Sequence, residues 1–335
     1  MTTRGLVLGK FLPPHAGHLA LVDFAGRFAD ELTIVVGTLA REPIAGALRH
    51  AWMRELAPNA EVVHLTDENP QEPGEHPDFW NIWRESLRRV VPGRIDLVFA
   101  SEPYGARLAQ ELGATFVPFD VGRALVPMSG TEVRRDPFAA WEHLPACVRA
   151  YYCRRVSVFG PESTGKSTLT RRLAEHFRTT HAPEFARTWL ESRHGELEPA
   201  DLPVIARGQV ALEEAMARRA RHVVFCDTDP LATRIWSEAL FGVVDPAVDA
   251  LGRGRRYDLT LLCDVDVPWI ADPVRYLPNE RASFFARCEH ALGEDGRRTV
   301  IVRGDWDARF AAAVAAVQAM SVDHRASSPV DCRHG

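Results

Sequence analysis

The sequence lacks the features that mark several classes of protein. In its 335 residues no apolar run approaches the roughly 20 residues that a membrane-spanning helix needs, and no signal-peptide core follows Met1. The six cysteines show no CxxC spacing, so neither a disulfide framework nor a zinc knuckle is predicted. A formal net charge of −5 gives no polycationic signature. We therefore expect a cytoplasmic protein that does not span a membrane or bind nucleic acid.

The composition that remains is that of a folded, soluble chain. Hydrophobic residues make up 46% and charged residues 25% of the sequence, which is typical of globular domains. The length suits two domains, and the sequence shows no internal repeat. We predict one domain over residues 1–152, a second over 153–320, and a polar, loosely ordered tail over 321–335.

Two stretches share one pattern of apolar strand, glycine-bearing loop and amphipathic helix. The first runs from a strand at 5–9 to a helix from about Gly17, and the second from a strand at 156–159 to a helix beyond Gly165. Further strands are predicted at 32–36, 96–100, 114–117, 223–226, 259–263 and 299–302. Helical segments between them indicate βαβ units. The predicted fold class is α/β, with two doubly wound parallel-sheet domains.

The loop after the strand at 156–159 carries the strongest motif, a P-loop. It matches G-x-x-x-x-G-K-[ST] at every fixed position, as Gly160-Pro161-Glu162-Ser163-Thr164-Gly165-Lys166-Ser167. Its backbone amides suit phosphate, the lysine suits the β- and γ-phosphates, and the last serine suits Mg²⁺. A structural glycine-rich turn is the alternative. We predict that ATP is bound by Gly160, Glu162, Ser163, Thr164, Gly165, Lys166, Ser167 and Thr168.

Several charged residues later in the chain are candidates for the same site. Asp227 ends an apolar strand and suits a Mg²⁺ ligand, and Asp229 suits a contact with a substrate hydroxyl; a solvated turn is the alternative for both. Glu184 is a candidate on the acceptor side, or else an exposed acid at a helix start. Arg275 and Arg281 lie in a segment that could form a lid, although many arginines are merely solvated.

The first loop contains Gly9-Lys10-Phe11-Leu12-Pro13-Pro14-His15-Ala16-Gly17-His18. His15 and His18 are three residues apart at a helix start, so both rings can face one spot together with the helix amides. Such an arrangement predicts a site for charge that builds on a phosphate group. Zinc is a weaker alternative, because no third ligand with suitable spacing is nearby.

A second loop–helix motif in the same half is Ser129-Gly130-Thr131-Glu132-Val133-Arg134. Ser129 or Thr131 can cap the helix, and Arg134 can clamp phosphate oxygens from its first turn. Together the two motifs predict a phosphate site that includes Gly9, Lys10, Phe11 and Gly130.

These motifs resemble those of the nucleotidyltransferase superfamily, as G-x-F-x-P-x-H-x-G-H and [IM]-S-G-T-x-[IV]-R. The order of all parts is similar to the bifunctional nicotinamide-mononucleotide (NMN) adenylyltransferase/ribosylnicotinamide kinase family of the NadR type. Ser101-Glu102-Pro103-Tyr104, the stretch 134–141, the P-loop, Asp227-Thr228-Asp229 and Trp269-Ile270-Ala271-Asp272 extend the resemblance over about residues 4 to 310.

The resemblance implies a Rossmann-like nucleotidyltransferase domain followed by a P-loop kinase domain. It implies that His15, His18, Ser129, Thr131 and Arg134 serve adenylyl transfer from ATP to NMN, which gives NAD and pyrophosphate. It likewise implies that Lys166, Ser167 and Asp227, with Mg²⁺, serve phosphorylation of nicotinamide riboside. Some family members carry an N-terminal helix-turn-helix domain. Here the first strand begins near Met1, so we expect that domain to be lacking and DNA binding not to occur.

Three points stay open on sequence alone. Trp80 and Trp83 could offer a stacking face to the nicotinamide ring, or could form the core stripe of one helix. The same modules could act on another nucleoside and its phosphate, or the chain could be an ATP-sensing regulator with a degenerate first site. The oligomeric state is not predicted, and a homo-oligomer is compatible with the sequence.

Overall fold

The computed structural model describes residues 2–270, 276 and 279–326, and side chains only up to residue 320. The chain forms two compact units, which meet in the sequence between Val148 and Arg149. The predicted boundary at residues 152/153 lies a few residues later.

The first unit is a parallel five-stranded sheet in the order β3-β2-β1-β4-β5. Its strands are β1 (Arg4–Gly9), β2 (Glu31–Gly37), β3 (Glu61–Leu65), β4 (Leu97–Ala100) and β5 (Thr115–Pro118). Its helices are α1 (Ala16–Phe28), α2 (Gly46–Leu56), α3 (Phe79–Val90), α4 (Tyr104–Leu112) and α5 (Gly130–Arg135). A 3₁₀ turn at Trp141–His143 leads to α6 (Ala146–Tyr152), which crosses the division between the units.

The second unit is also a parallel five-stranded sheet, in the order β10-β9-β6-β8-β7. Its strands are β6 (Arg154–Phe159), β7 (His181–Ala182), β8 (Val223–Asp227), β9 (Leu259–Cys263) and β10 (Thr299–Val302). Its helices are α7 (Lys166–His176), α8 (Phe185–Ser192), α9 (Leu202–Ala217), α10 (Pro230–Phe241), α11 (Pro246–Gly254), α12 (Arg281–Glu294) and α13 (Trp306–Ala326).

Both sheets are covered on two faces, as the doubly wound prediction requires. In β1, Val7 packs in a cluster with residues of α1 and α2, whereas its neighbour Leu6 packs with residues of α3 and α4. In the second unit Val158 packs with α7 and α13, whereas Phe159 packs with α10 and α12. Strands buried on both faces need apolar residues at successive positions, which explains the continuous apolar runs in the sequence.

The predicted elements and the observed ones differ in a few places. All eight predicted strands are present, but β3 and β7 were not predicted. Helix α13 continues to Ala326, so residues 321–326 are helical and not the loosely ordered start of a tail. Residues 327–335 lie outside the described part of the chain. Within the described residues, no helix is long and apolar enough to cross a membrane.

Candidate active sites

The first candidate site is built around the junction between β1 and α1. His15 occupies the N-cap position of α1 with an extended backbone, and its Nδ1 accepts a hydrogen bond from the Gly17 amide at 3.2 Å. Of the helix-start amides that are predicted to face the phosphate, that of Gly17 is therefore engaged by the side chain of His15.

The two histidines lie together, as the spacing predicts. Their ring centroids are 3.9 Å apart, and the ring of Phe11 lies 5.0 Å from that of His18. Burial, with the nearby Arg123 guanidinium, lowers the pKa of His15 to about 4. Burial and the neighbouring His15 place the pKa of His18 well below its ordinary value. Both imidazoles are therefore neutral at pH 7 in this structure, and act as hydrogen-bonding groups and not as charges.

The neutral state fixes the proton of His15. Since Nδ1 accepts from the Gly17 amide, the single ring proton of a neutral imidazole resides on Nε2. His15 can thus offer one N–H donor to an oxygen of a ligand. His18 has its Nδ1 buried without a hydrogen-bond partner among the described residues, so this ring also has unused capacity for a ligand.

The second motif packs against the first loop. Ser129 caps α5 by accepting from the Glu132 amide, and the Glu132 carboxylate accepts in return from the Ser129 amide at 2.8 Å. Arg134 donates to the carbonyl of Leu12 and to the Thr131 hydroxyl at 3.2 Å. A Cβ atom on Gly130 would lie 2.8 Å from the Leu12 carbonyl oxygen, so the close approach requires glycine.

These contacts bring every predicted residue of the first site to one cavity of about 750 Å³. Its lining includes Gly9, Lys10, Phe11, His15, His18, Trp80, Trp83, Ser129, Gly130, Thr131 and Arg134. Lys10 Nζ lies 3.3 Å from Glu42, and the buried Arg49 donates to the Lys10 carbonyl at 2.6 Å. The loop that carries Lys10 is thus anchored from α2.

Both interpretations of Trp80 and Trp83 find support in the structure. The two rings line the cavity, and both are also partly buried against the core beneath α3. Trp83 Nε1 donates to the Pro70 carbonyl at 2.8 Å, which fixes its orientation. A role in stacking on a ligand ring remains a prediction.

Arg123 lines the same cavity and was missed by the sequence analysis. It lies between β5 and α5 in a loop held by Asp120, whose carboxylate accepts the amides of Ala124, Leu125 and Val126. Its guanidinium lowers the pKa of both cavity histidines. The positive charge in this cavity therefore comes from Lys10, Arg123 and Arg134, and not from the imidazoles.

The second candidate site is the junction between β6 and α7. Three loop residues have left-handed backbones, with φ of +130° at Gly160, +58° at Ser163 and +82° at Gly165. Gly165 is the N-cap of α7, and no side chain caps the helix. A helix start without a side-chain cap, reached by a left-handed loop, is the arrangement that binds phosphate through backbone amides.

The loop is held by its own side chains and by α13. Lys166 Nζ and the Thr164 hydroxyl both donate to the Pro161 carbonyl, at 2.9 and 2.8 Å. Buried Arg309 donates to the Thr164 carbonyl at 2.9 Å. The loop is thus preformed, with the Lys166 ammonium folded back over it.

Asp227 lies at the end of β8 and is 3% exposed. Burial, together with the nearby Glu184 carboxylate, raises its pKa to about 6, against the opposing effects of Lys166 and a hydrogen bond with Ser167. Its Oδ1 is buried without a hydrogen-bond partner among the described residues. A carboxylate oxygen beside a serine hydroxyl fits Mg²⁺, which takes few protein ligands and completes its shell with phosphate and water oxygens.

The cavity of the second site has a volume of about 250 Å³. The predicted residues on its lining are Gly160, Glu162, Ser163, Thr164, Gly165, Lys166, Ser167, Thr168 and Glu184. Asp227 is not on the lining itself but forms a hydrogen bond with Ser167, which is. Arg187, Trp236 and Trp306 also line the cavity and were not singled out from the sequence. They are contributed by α8, α10 and α13, which no local motif connects to the P-loop.

The structure gives Asp229 a different role from the predicted contact with substrate. It is fully buried, caps α10 by accepting the Leu231 amide at 2.8 Å, and accepts from the Ser157 hydroxyl at 2.6 Å. Arg297 forms an ion pair with it at 2.7 Å. Because both carboxylate oxygens are engaged within the fold, Asp229 stabilises the unit and does not line the cavity.

The predicted lid arginines are only partly within the described chain. Arg281 begins α12 and donates to the carbonyls of Val267 and Ser163, at 2.9 and 3.2 Å, so it braces the P-loop backbone. Arg275 lies outside the described residues, as do Ala271 and Asp272.

Comparisons with known proteins find relatives of this chain. A family model described as an AAA domain matches residues 155–309. The chain is 31% identical over 350 residues to the trifunctional NAD biosynthesis/regulator protein NadR of Escherichia coli K12, across 96% of this chain and 84% of that protein.

Two further similarities concern one half of the chain and the whole fold. The chain is 30% identical over 146 residues to a nicotinamide-nucleotide adenylyltransferase of Methanosarcina mazei, across 42% of this chain and 82% of that protein. A crystal structure of a NadR protein in complex with NR matches 99% of this chain and 98% of that one, with a TM-score of 0.77 at 22% identity. The last match supports the fold of both units.

Proposed function

The chain belongs to the NadR family, and on that basis we propose that its two cavities perform two successive steps of NAD biosynthesis. The enzyme phosphorylates nicotinamide riboside with ATP to give NMN, and adenylylates NMN with a second ATP to give NAD and pyrophosphate. We assign the first of these reactions to the P-loop cavity and the second to the cavity with the histidine pair.

Adenylyl transfer requires stabilisation of charge on the α-phosphate while the NMN phosphate attacks in line. The neutral His15 and His18 offer N–H donors, and Arg123 and Arg134 supply positive charge. A buried neutral imidazole donates a hydrogen bond without the cost of burying a further charge. The enzyme acts by orientation and electrostatics, and no covalent intermediate forms.

Phosphoryl transfer in the second unit follows the P-loop arrangement. The loop amides and Lys166 bind the β- and γ-phosphates of ATP, which requires the ammonium to move from the Pro161 carbonyl to the ligand. Ser167 and Asp227 would hold Mg²⁺, which neutralises phosphate charge. We assign to Glu184, which lines the cavity, a contact with the hydroxyl groups of the riboside.

One observation carries the proposal: residues from separate motifs of each unit line a cavity of that unit. His15, His18 and Arg134 line one cavity although the chain between them exceeds a hundred residues, and Lys166, Ser167 and Glu184 line the other. A complete first site argues against an ATP-sensing regulator in which that site has degenerated.

The direct test supplies purified protein with nicotinamide riboside, ATP and Mg²⁺ and measures NAD. We expect NAD from the riboside, and NAD from NMN and ATP when the first reaction is bypassed. Other nucleosides and their phosphates serve as competing acceptors in the same assay. If they were used while nicotinamide riboside and NMN were not, the assignment of substrate would be wrong.

We also propose that the protein acts in the cytoplasm, where thiols stay reduced. The described cysteines Cys147, Cys153, Cys226, Cys263 and Cys288 are all free and buried, which is compatible with that compartment.

A further inference from the structure

A row of buried polar side chains lies behind the wall of the P-loop cavity and belongs to none of the recognised motifs. Gln209 and Glu213 sit one turn apart on α9 and are 2% and 0% exposed, and Tyr257 precedes β9 and is 8% exposed. Burial of polar groups opposes folding unless they are hydrogen-bonded, so the contacts of this row indicate what it holds in place.

The contacts run in one direction, from Tyr257 to the start of α8. Glu213 accepts from the Tyr257 hydroxyl at 2.9 Å and pairs with Arg255 at 3.1 Å. Gln209 Nε2 donates to Glu213 at 3.3 Å, and Gln209 Oε1 accepts the amide of Phe185 at 2.9 Å. Because the backbone amide of Phe185 can only donate, the Gln209 carboxamide turns its oxygen to Phe185 and its nitrogen to Glu213.

Phe185 is the residue directly after Glu184, the acid on the cavity wall. The Phe185 ring also lies against α9, where a Cβ atom on Gly208 would come within 2.2 Å of it. The start of α8 is therefore held at two points, by the Gln209 carboxamide on the backbone and by the glycine surface under the ring. The side chain of the N-cap residue Glu184 does not cap α8, and the Gln209 carboxamide accepts one of the free amides at this helix start instead.

We propose that Gln209 is a positioning residue for the kinase reaction: by holding the Phe185 amide it fixes Glu184 at the cavity wall against which the nucleoside binds. Glu213 acts one step further away, by orienting the Gln209 amide. The inference rests on the proposed kinase function. In this arrangement α9 holds the wall of the cavity against which the nucleoside binds, whereas α13 holds the P-loop through Arg309.

The first test is Gln209→Leu, which keeps the bulk of the side chain and removes both hydrogen bonds. Loss of one positioning bond is expected to raise KM for nicotinamide riboside about tenfold, with KM for ATP changed less than about twofold. A merely structural role would lower the folded fraction and kcat while leaving both KM values unchanged. A normal KM for the riboside in folded Gln209→Leu protein would overturn the proposal.

A rescue experiment tests the direction of the contacts. Gln209→Glu alone brings two carboxylates together and should impair riboside binding as Gln209→Leu does. The double variant Gln209→Glu with Glu213→Gln exchanges the pair: the carboxylate accepts from Phe185 and the new amide donates to it. We expect KM for the riboside to return to within about threefold of wild type, since both hydrogen bonds are restored. No recovery would contradict the proposed order of contacts.

The control is Glu214→Gln. Glu214 is the neighbour of Glu213 in the sequence and also pairs with Arg255, but Gln209 bonds to Glu213 and not to Glu214. It should leave both KM values unchanged. Hydrogen exchange of the α8 peptide gives a readout without substrate: Gln209→Leu should speed exchange there, and Glu214→Gln should not. If wild-type protein failed to phosphorylate the riboside, the proposed function would fall, and the exchange result would still decide whether Gln209 holds Phe185.

Discussion

The two strand–loop–helix junctions at the centres of the two sheets share one topology but begin their helices with different groups. β1 leads into α1 and β6 into α7, and each strand is the middle one of its sheet. At the first junction the His15 side chain caps the helix, whereas Gly165 leaves the second helix without a side-chain cap. In the function we propose, the first junction presents side chains to phosphate, and the second presents backbone amides.

This difference predicts which substitutions each junction tolerates. A side-chain site should depend on the chemical identity of the few residues that face the ligand, although its loop also contains one left-handed residue, Phe11, with φ of +46°. A backbone site should depend on residues that permit left-handed φ values, such as Gly160 and Gly165. Only charged or donating side chains at the second junction, above all Lys166, should be as sensitive as the histidines of the first.

The largest expected effect is a crossed loss of activity. His18→Ala should reduce formation of NAD from NMN about a hundredfold or more and leave riboside phosphorylation unchanged, because one donor to the transition state is lost. Lys166→Ala should do the reverse. Both activities are measured on each variant, so each serves as the folding control for the other. Loss of both activities in either variant would contradict two independent sites.

A smaller effect is expected from Gly165→Ala, which tests the backbone character of the second junction. A Cβ atom there would lie 2.4 Å from the Trp306 ring, on a residue with φ of +82°. A left-handed alanine costs about 1 kcal/mol and the ring must also move, so KM for ATP in the kinase reaction should rise about tenfold.

Gly293→Ala is the matched control for this glycine. Gly293 lies within α12, and a Cβ atom on it would meet nothing within 4 Å. The alanine should leave KM for ATP unchanged and slightly favour the helix. An unchanged KM in Gly165→Ala would show that the loop adapts, and would remove the contrast between the junctions.

Arg123→Gln sharpens the comparison from the first side. Removing this charge from the cavity should lower kcat/KM for NMN adenylylation about tenfold, which is the expected size for one cation near a phosphate. It should also raise the pKa of His15 and His18, because the guanidinium lowers both. Arg135→Gln makes the same change of charge on an exposed residue of α5 and should have little effect. Equal effects of the two variants would point to general electrostatics and not to a contact.

The two junctions also differ in how far the sequence reveals them. The P-loop is predicted completely, since its geometry depends on consecutive residues with fixed types. The histidine pair is predicted for the same local reason. Arg123 was missed because its place beside His15 arises from the return of the chain after β5, which no spacing encodes. The predicted substrate contact of Asp229 was wrong, because the sequence around a carboxylate that follows a strand does not show whether it faces a cavity or a buried partner. Here the partner is Arg297, which is 68 residues away.

Prediction of the strands was limited in the same way, to features carried by consecutive residues. Strands buried on both faces, such as β1 and β6, are continuous apolar runs in the sequence and could therefore be predicted. β3 lies at the edge of its sheet and includes Glu61 and His64, and β7 has only two residues, so neither produced a signal. Motifs of consecutive residues could therefore be predicted from the sequence, whereas edge strands and contacts between distant segments could be found only in the structure.

The smallest expected effect concerns pH and has opposite signs in the two units. The pKa of His15 is lowered to about 4, so between pH 5.5 and 6.5 the unfolded chain binds more protons there than the folded one, and stability rises with pH. The pKa of Glu213 is raised to about 7 by burial and the neighbouring Asp229, against Arg255 and the Tyr257 hydroxyl. In the same window the folded chain binds more protons at Glu213, and stability falls with pH.

Variants isolate each contribution. His15→Asn keeps a good helix cap and removes the imidazole, so the free energy of unfolding lost in this variant should grow by about 1 kcal/mol from pH 5.5 to 6.5. The free energy lost in Glu213→Gln should shrink by about 1 kcal/mol over the same range. Urea unfolding at the two pH values measures both differences. If the loss in His15→Asn shrank with pH instead, the pKa of His15 would be raised and its imidazole charged. The contrast between the junctions would then be one between a charged side chain and backbone amides.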